Sequence, residues 1–281
     1  MKVVLLAGGL GTRISEESQL RPKPMIEIGG MPILWHIMKE YSYYGFNDFV
    51  ICAGYKQHMI KEWFADYFLH TCDVTFDFTQ SESSVIIHDK KTEPWKVTVV
   101  DTGLETMTGG RIKAVQKYIG DEPFFMTYGD GVCDVNIMDL LNFHRNSGKK
   151  ATLTAVKLEQ RFGVLDIEDG TVRAFREKSS LDTEPINAGY MVLEPEVFGY
   201  LGGKNCIFEK DPLEKLAAEG QLASYLHTGF WQCMDTKKEH DALEKMWESG
   251  TAVKSHFLCE KVGRQVVLSE PDVHDTEQGA A

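Results

Sequence analysis

The chain has 281 residues and a formal net charge of −12, enough length to bury one large core or one domain with appendages. That acidic balance argues against nucleic acid and anionic membrane as partners, while leaving nucleotides open to a site with local positive charge and a divalent cation. No apolar run approaches the ~18 residues that span a bilayer, the N-terminus reads as a core strand rather than a signal sequence, and the six cysteines are scattered without a C-x-x-C pair, so reduced thiols in a cytoplasmic protein are expected.

Taken in chain order, the first half alternates short apolar runs with helical patterns. Val3–Ala7 is a strand. Ile33–Tyr44 predicts a helix with Ile33, Ile37, Met38 and Tyr41 on one face, stopped by Gly45. Phe49–Ala53 is the next strand, Ile60–Phe68 is helical, and Val97–Val100 returns to strand. A helix over Arg111–Tyr118, a strand over Phe124–Thr127, a helix over Ile137–Asn146 and a strand over Ala151–Val156 follow. Strands alternating with crossover helices imply an α/β fold with a Rossmann-like, mostly parallel sheet flanked by helices.

After Arg161 the texture becomes β-rich. Gly163–Ile167, the turn Glu168-Asp169-Gly170 and Thr171–Phe175 predict a hairpin. Ile186–Leu193 is a further strand, and Pro212–Glu219 and Asp241–Trp247 are helices. One domain over 1–250 is expected, in two parts: 1–156, where strands and helices alternate, and a β-rich 157–250. The polar, acidic end of the chain predicts a partly disordered extension over 251–281.

The chemistry is concentrated near the first strand. It opens into Gly8-Gly9-Leu10-Gly11-Thr12-Arg13, whose glycines leave backbone N–H groups uncovered for phosphate oxygens. Alone, this pattern also suits a dinucleotide fold or a tight turn. It is no Walker A, because no Gly-Lys-Ser/Thr closes it, and its glycine spacing differs from the Rossmann fingerprint. Arg21-Pro22-Lys23-Pro24-Met25 then shifts the balance. The two prolines fix φ on either side of Lys23 and exclude a helix there, so the lysine loses little entropy on meeting a charge. Asp130, between Gly129 and Gly131 at the end of the Phe124–Thr127 strand, suits a metal bridging phosphates, and locally it suits a plain Gly-Asp-Gly turn as well. Asp235 precedes a helical segment, where its other natural duty is an N-cap. The nine histidines show no metal-binding spacing.

The stretch Leu6–Gly30, LAGGLGTRISEESQLRPKPMIEIGG, resembles the sugar-1-phosphate nucleotidylyltransferases. The resemblance continues through Pro32–Met38, Glu93-Pro94-Trp95, Met107-Thr108-Gly109-Gly110-Arg111, Thr127–Gly131, Phe175–Lys178 and Gly229–Thr236, as far as Gly250. Within the family the chain is most similar to the branch that uses CTP and glucose 1-phosphate and makes CDP-glucose.

That resemblance makes 1–156 the nucleotide-binding part and 157–250 the sugar-phosphate-binding part, and it implies a role for each matching position. The backbone of Leu6, Ala7, Gly8, Gly9, Leu10, Gly11 and Thr12, with Gly129, cradles the nucleotide. Arg13 and Lys23 are the catalytic cations, Arg13 at the pyrophosphate end and Lys23 at the α-phosphate. Thr106 and Arg111 contact the nucleotide. Glu177 and Lys178 take the sugar phosphate together with Asn187 and Gly189, although Ser179 stands where the family usually has proline. Asp130 and Asp235 together hold Mg²⁺. The family further implies a homo-oligomer, with a hexamer among the arrangements it suggests. Use of UTP or dTTP stays open as an alternative, as does a non-catalytic sugar-nucleotide sensor. An NAD-dependent oxidoreductase is disfavoured by the glycine spacing and the x-Pro-Lys-Pro loop.

Overall fold

The computed structural model describes residues 1–11, 14, 20–79, 84–88, 92–157, 164–176 and 184–250. The expected extension over 251–281 lies outside them.

Seven strands form the central sheet: β1 (Val3–Ala7), β2 (Asp48–Ala53), β3 (Lys96–Asp101), β4 (Phe124–Tyr128), β5 (Ala151–Val156), β6 (Ile186–Leu193) and β7 (Leu222–His227). Their spatial order is β7-β5-β6-β4-β1-β2-β3. β1 pairs in parallel with both β4 and β2, β2 with β3, and β5 with β7; only β6 runs antiparallel, between β5 and β4. The fold is therefore α/β with a mixed, mostly parallel sheet. β6 and β7 come from the expected sugar-binding part, so that part is woven into the main sheet.

Helices cover both faces. On one side lie α1 (Ile33–Tyr43), α2 (Gln57–Ala65), α4 (Ile137–Ser147) and α6 (Lys237–Ser249), packed against Val3, Leu5, Phe49 and Ile51. On the other, α3 (Thr108–Ala114) and α5 (Asp211–Ala218) meet Val4, Leu6, Val50 and Met126. A central parallel strand is buried on both faces, which is why β1 is apolar throughout instead of alternating. Each such side chain contributes about 1.5–3 kcal/mol by burial. No helix among the described residues is long and apolar enough to cross a membrane.

Most expected elements appear with ends shifted by a few residues. The helix expected over Ile60–Phe68 is α2 followed by a separate short helix, Tyr67–Thr71, broken at Asp66. The hairpin pairs Val164–Glu168 with Thr171–Arg176, and Asp169 and Gly170 both take positive φ, the geometry of a two-residue turn matched to strand twist. One expectation needs correction. Lys23–Met25 forms a single 3₁₀ turn despite the flanking prolines. Pro22 is extended and precedes the turn, while Pro24 sits in its first positions, where no N–H is needed.

The topology also locates a crevice. From β1 the chain proceeds outward through β2 and β3, then returns to β4 on the other side of β1. The carboxyl end of β1 is therefore a topological switch point, where open α/β sheets bind ligands.

Candidate active site

At that switch point lies a cavity of about 430 Å³, lined by Leu6, Ala7, Gly8, Gly9, Gly11, Lys23, Thr106, Arg111, Gly129 and Asp130 among others. The structure thus gathers most of the nucleotide-binding candidates into one place. Leu10 does not line the cavity and is exposed on the loop. Thr12, Arg13, Glu177 and Lys178 lie outside the described residues.

The glycines here serve close approach. A Cβ on Gly8 would fall 2.1 Å from a guanidinium nitrogen of Arg111, and one on Gly129 would fall 2.8 Å from the Leu6 carbonyl oxygen. Arg111 is only 5 % exposed. Its Nη1 donates to the Ala53 carbonyl (3.3 Å), Thr102 Oγ1 (2.7 Å) and the Gly103 carbonyl (2.8 Å). Its Nη2 donates to the carbonyls of Gly8 (3.0 Å) and Leu104 (3.1 Å). The residue expected to touch the nucleotide lines the cavity while its Nη groups hold the surrounding backbone.

Lys23 is buried, and its ammonium donates to Asp130 Oδ2 at 2.6 Å and also to Asp235 Oδ1. Burial alone would lower the pKa of Lys23, but the two carboxylates outweigh it and hold it above its ordinary value. Asp130 sits in the turn between β4 and Gly131–Cys133, a short strand that pairs with Trp231–Cys233. The Met234 N–H donates to the Asp130 carbonyl at 2.9 Å, which brings Asp235 close to Asp130 and Lys23, although Asp235 itself does not line the cavity. Asp235 is not the cap of α6. Thr236 takes that place in a capping box with Glu239, leaving the Asp235 carboxylate turned to Lys23.

Two carboxylates from distant segments therefore converge on one cation. No cluster of three or more metal-type ligands occurs among the described residues. Such a pair fits Mg²⁺, which binds through one or two carboxylates and fills its shell with phosphate and water.

Three further residues shape the wall: Thr108 and Tyr128 lie within the family-like segments without having been given a role there, and Glu209 lies in none of them. The Tyr128 hydroxyl donates to Glu209 Oε1, and Thr108 Oγ1 donates to Glu209 Oε2 at 2.6 Å. All three line the cavity. Asn187 and Gly189 do not line it, yet Gly189 sets it indirectly. With φ +82° its missing Cβ leaves room for the Tyr128 ring, 2.4 Å from where that carbon would stand. Asn187 Oδ1 accepts from the Gly189 N–H at 2.9 Å, closing the same turn.

A model of the nucleotidyl transferase family matches residues 2–248, across the glycine loop, Lys23, Asp130 and Asp235. The chain belongs to this family. It is 53% identical to a glucose-1-phosphate cytidylyltransferase of Salmonella typhi over 90% of this chain and 98% of that protein. It is 29% identical to a mannose-1-phosphate guanyltransferase of Yarrowia lipolytica over 97% of this chain and 69% of the relative. A crystal structure of UDP-glucose pyrophosphorylase with UDP-glucose superposes with a TM-score of 0.64 at 16% identity, covering 89% of this chain and 98% of the other. The likeness at that identity is one of fold. The three proteins differ in the base and sugar that their names carry.

Proposed function

We propose that the protein transfers the cytidylyl group of CTP to α-D-glucose 1-phosphate, giving CDP-glucose and pyrophosphate for deoxysugar and surface-polysaccharide synthesis. The convergence of Asp130 and Asp235 on Lys23, which together with Asp130 lines the glycine-loop cavity, carries this reading. The 53% identity to the Salmonella typhi enzyme supports the choice of CTP and glucose 1-phosphate.

A phosphate oxygen of the sugar phosphate attacks the α-phosphorus of CTP; the new P–O bond forms as the bond to the bridging oxygen of pyrophosphate breaks. The nucleophile is already anionic, so no general base is needed. What the site must supply is alignment of two anions and relief of their repulsion. In this reading the Gly8–Gly11 backbone cradles the triphosphate, Arg13 meets its pyrophosphate end, and Lys23 faces the charge that builds on the α-phosphate. Asp130 and Asp235 would hold Mg²⁺, whose chemistry is to draw off phosphate charge. Glu177, Lys178, Asn187 and Gly189 receive the sugar phosphate. Cytoplasmic location and a homo-oligomeric state complete the proposal.

The test is pyrophosphate release and product mass for CTP, UTP, dTTP and GTP against glucose-, galactose- and mannose-1-phosphate. CTP with glucose 1-phosphate should exceed UTP or dTTP by at least ~10-fold, which one base-edge hydrogen bond can supply. UTP or dTTP emerging as the better nucleotide would replace the base assignment. No turnover with any pair, but binding of a sugar nucleotide, would favour a sensor.

A further inference from the structure

We infer that Arg111 is a positioning residue that shapes the phosphate loop from beneath and does not read the base. The inference deepens the function proposed above and depends on it only for its turnover measurements.

The five contacts of Arg111 share a location. Gly8 follows β1, Ala53 ends β2, and Thr102, Gly103 and Leu104 follow β3. One guanidinium thus ties together the carboxyl ends of three adjacent parallel strands. Carbonyl oxygens at such an edge repel a triphosphate. Drawing four of them onto a cation turns that partial negative charge inward, away from the bound phosphates. A lysine could not span the same set, because the planar fork is what places donors on both sides of the group.

The second observation is steric. Cβ atoms on Gly8 and Gly54 would stand 2.1 and 2.5 Å from Arg111 Nη1. The loop can lie this close only while both positions are glycine, so these two glycines and the arginine form one unit. Since both Nη groups of Arg111 end on protein oxygens and the residue is buried, they present no donor edge to a pyrimidine.

A clamp and a base reader predict different losses. A loosened loop weakens every polyphosphate alike, whereas loss of a base contact changes the ratio between nucleotides. The experiment compares Arg111→Ala, Gly8→Ala and the double variant. The readouts are calorimetric affinity for inorganic tripolyphosphate, KM and kcat for CTP and UTP, and rescue by millimolar guanidinium. Arg111→Ala should weaken tripolyphosphate by ~10-fold or more, the scale of a small misplacement of binding groups. It should raise KM for CTP and UTP together, keep their ratio, and be partly restored by guanidinium. Gly8→Ala, whose methyl displaces the guanidinium, should cause a similar loss alone and little further loss on the Arg111→Ala background. Unchanged tripolyphosphate affinity, a collapse of the CTP-to-UTP ratio, or additive losses would overturn the clamp. If Arg111→Ala does not fold, Gly8→Ala must still lower tripolyphosphate affinity with the ratio intact, and failure to do so overturns it as well. Absent turnover in the native protein would count against the proposed function, while the tripolyphosphate measurements still decide Arg111.

Discussion

Lys23 Nζ lies 2.6 Å from Asp130 Oδ2, and the same buried ammonium also pairs with Asp235. One cation therefore joins two acids that stand 107 and 212 residues away in sequence. If these acids hold the metal, Asp130→Asn and Asp235→Asn should each lower turnover by at least ~10²-fold, the usual loss of one preorganised electrostatic element. Circular dichroism should show the fold intact. Near-normal pyrophosphate release by either purified variant would remove that residue from the metal site.

Lys23→Met separates the lysine's two duties. Without the ammonium, two carboxylates face each other uncompensated, so the variant should melt below the native protein in the absence of divalent cation. Mg²⁺ should then raise its melting temperature more than it raises that of the native protein, because nothing competes for the seat between the acids. Turnover should nevertheless fall by the equivalent of ~2–4 kcal/mol, since the metal cannot replace a cation facing the α-phosphate. Equal Mg²⁺ shifts in both proteins would show that the lysine and the metal do not share a seat.

A pH effect follows from Glu40 on α1. It is 1 % exposed, and neither carboxyl oxygen has a hydrogen-bond partner among the described residues. Burial first, then the charge of Asp134, push its carboxyl up to about 8 from an ordinary 4.5. The folded state thus holds this proton more tightly than the unfolded chain. The associated stability is fully present below pH 4.5 and is lost as pH rises through about 8. Glu40→Gln should flatten that decline and be more stable than the native protein at pH 9, by up to a few kcal/mol (on the order of the linkage for such a shift). Urea unfolding at pH 5, 7 and 9 checks this. Parallel stability profiles for the two proteins would rule out Glu40 as the cause.

Gly189→Ala tests the cavity wall from behind. Its φ of +82° is unfavourable for alanine, and the new methyl would meet the Tyr128 ring. A stability loss of ~1–3 kcal/mol is expected from strain and overpacking. As Tyr128 moves off Glu209, activity should drop beyond what lost stability explains at a temperature where the variant stays folded. Full activity in the folded variant would show that the Tyr128–Glu209 contact is dispensable.

Local patterns carried much of this protein's architecture. The unbroken apolar run of β1 read as a buried strand, the glycines after it suited a phosphate loop as well as a tight turn, and Asp169-Gly170 suited a tight hairpin turn. Such features depend on a few neighbouring residues, through backbone freedom and the period of apolar side chains, and the alternation of strands with helices follows from them. Less regular segments escaped: Leu222–His227 and the Asp73–Asp77/Ser84–His88 hairpin offer weak or polar strand patterns, and their pairing partners supply the order. The side-chain partnerships were settled by tertiary structure alone. Arg111 by itself could have sat on any loop and was marked only by the family resemblance, and its partners became definite only when β1, β2 and β3 aligned their carboxyl ends. Lys23 was legible as a stiffly held charge, but its seat between Asp130 and Asp235 required the β4 turn and the start of α6 to meet. Glu209 and Glu40 carried no motif at all; one reached the cavity and the other the core because packing distant segments together determines which carboxylates remain in water.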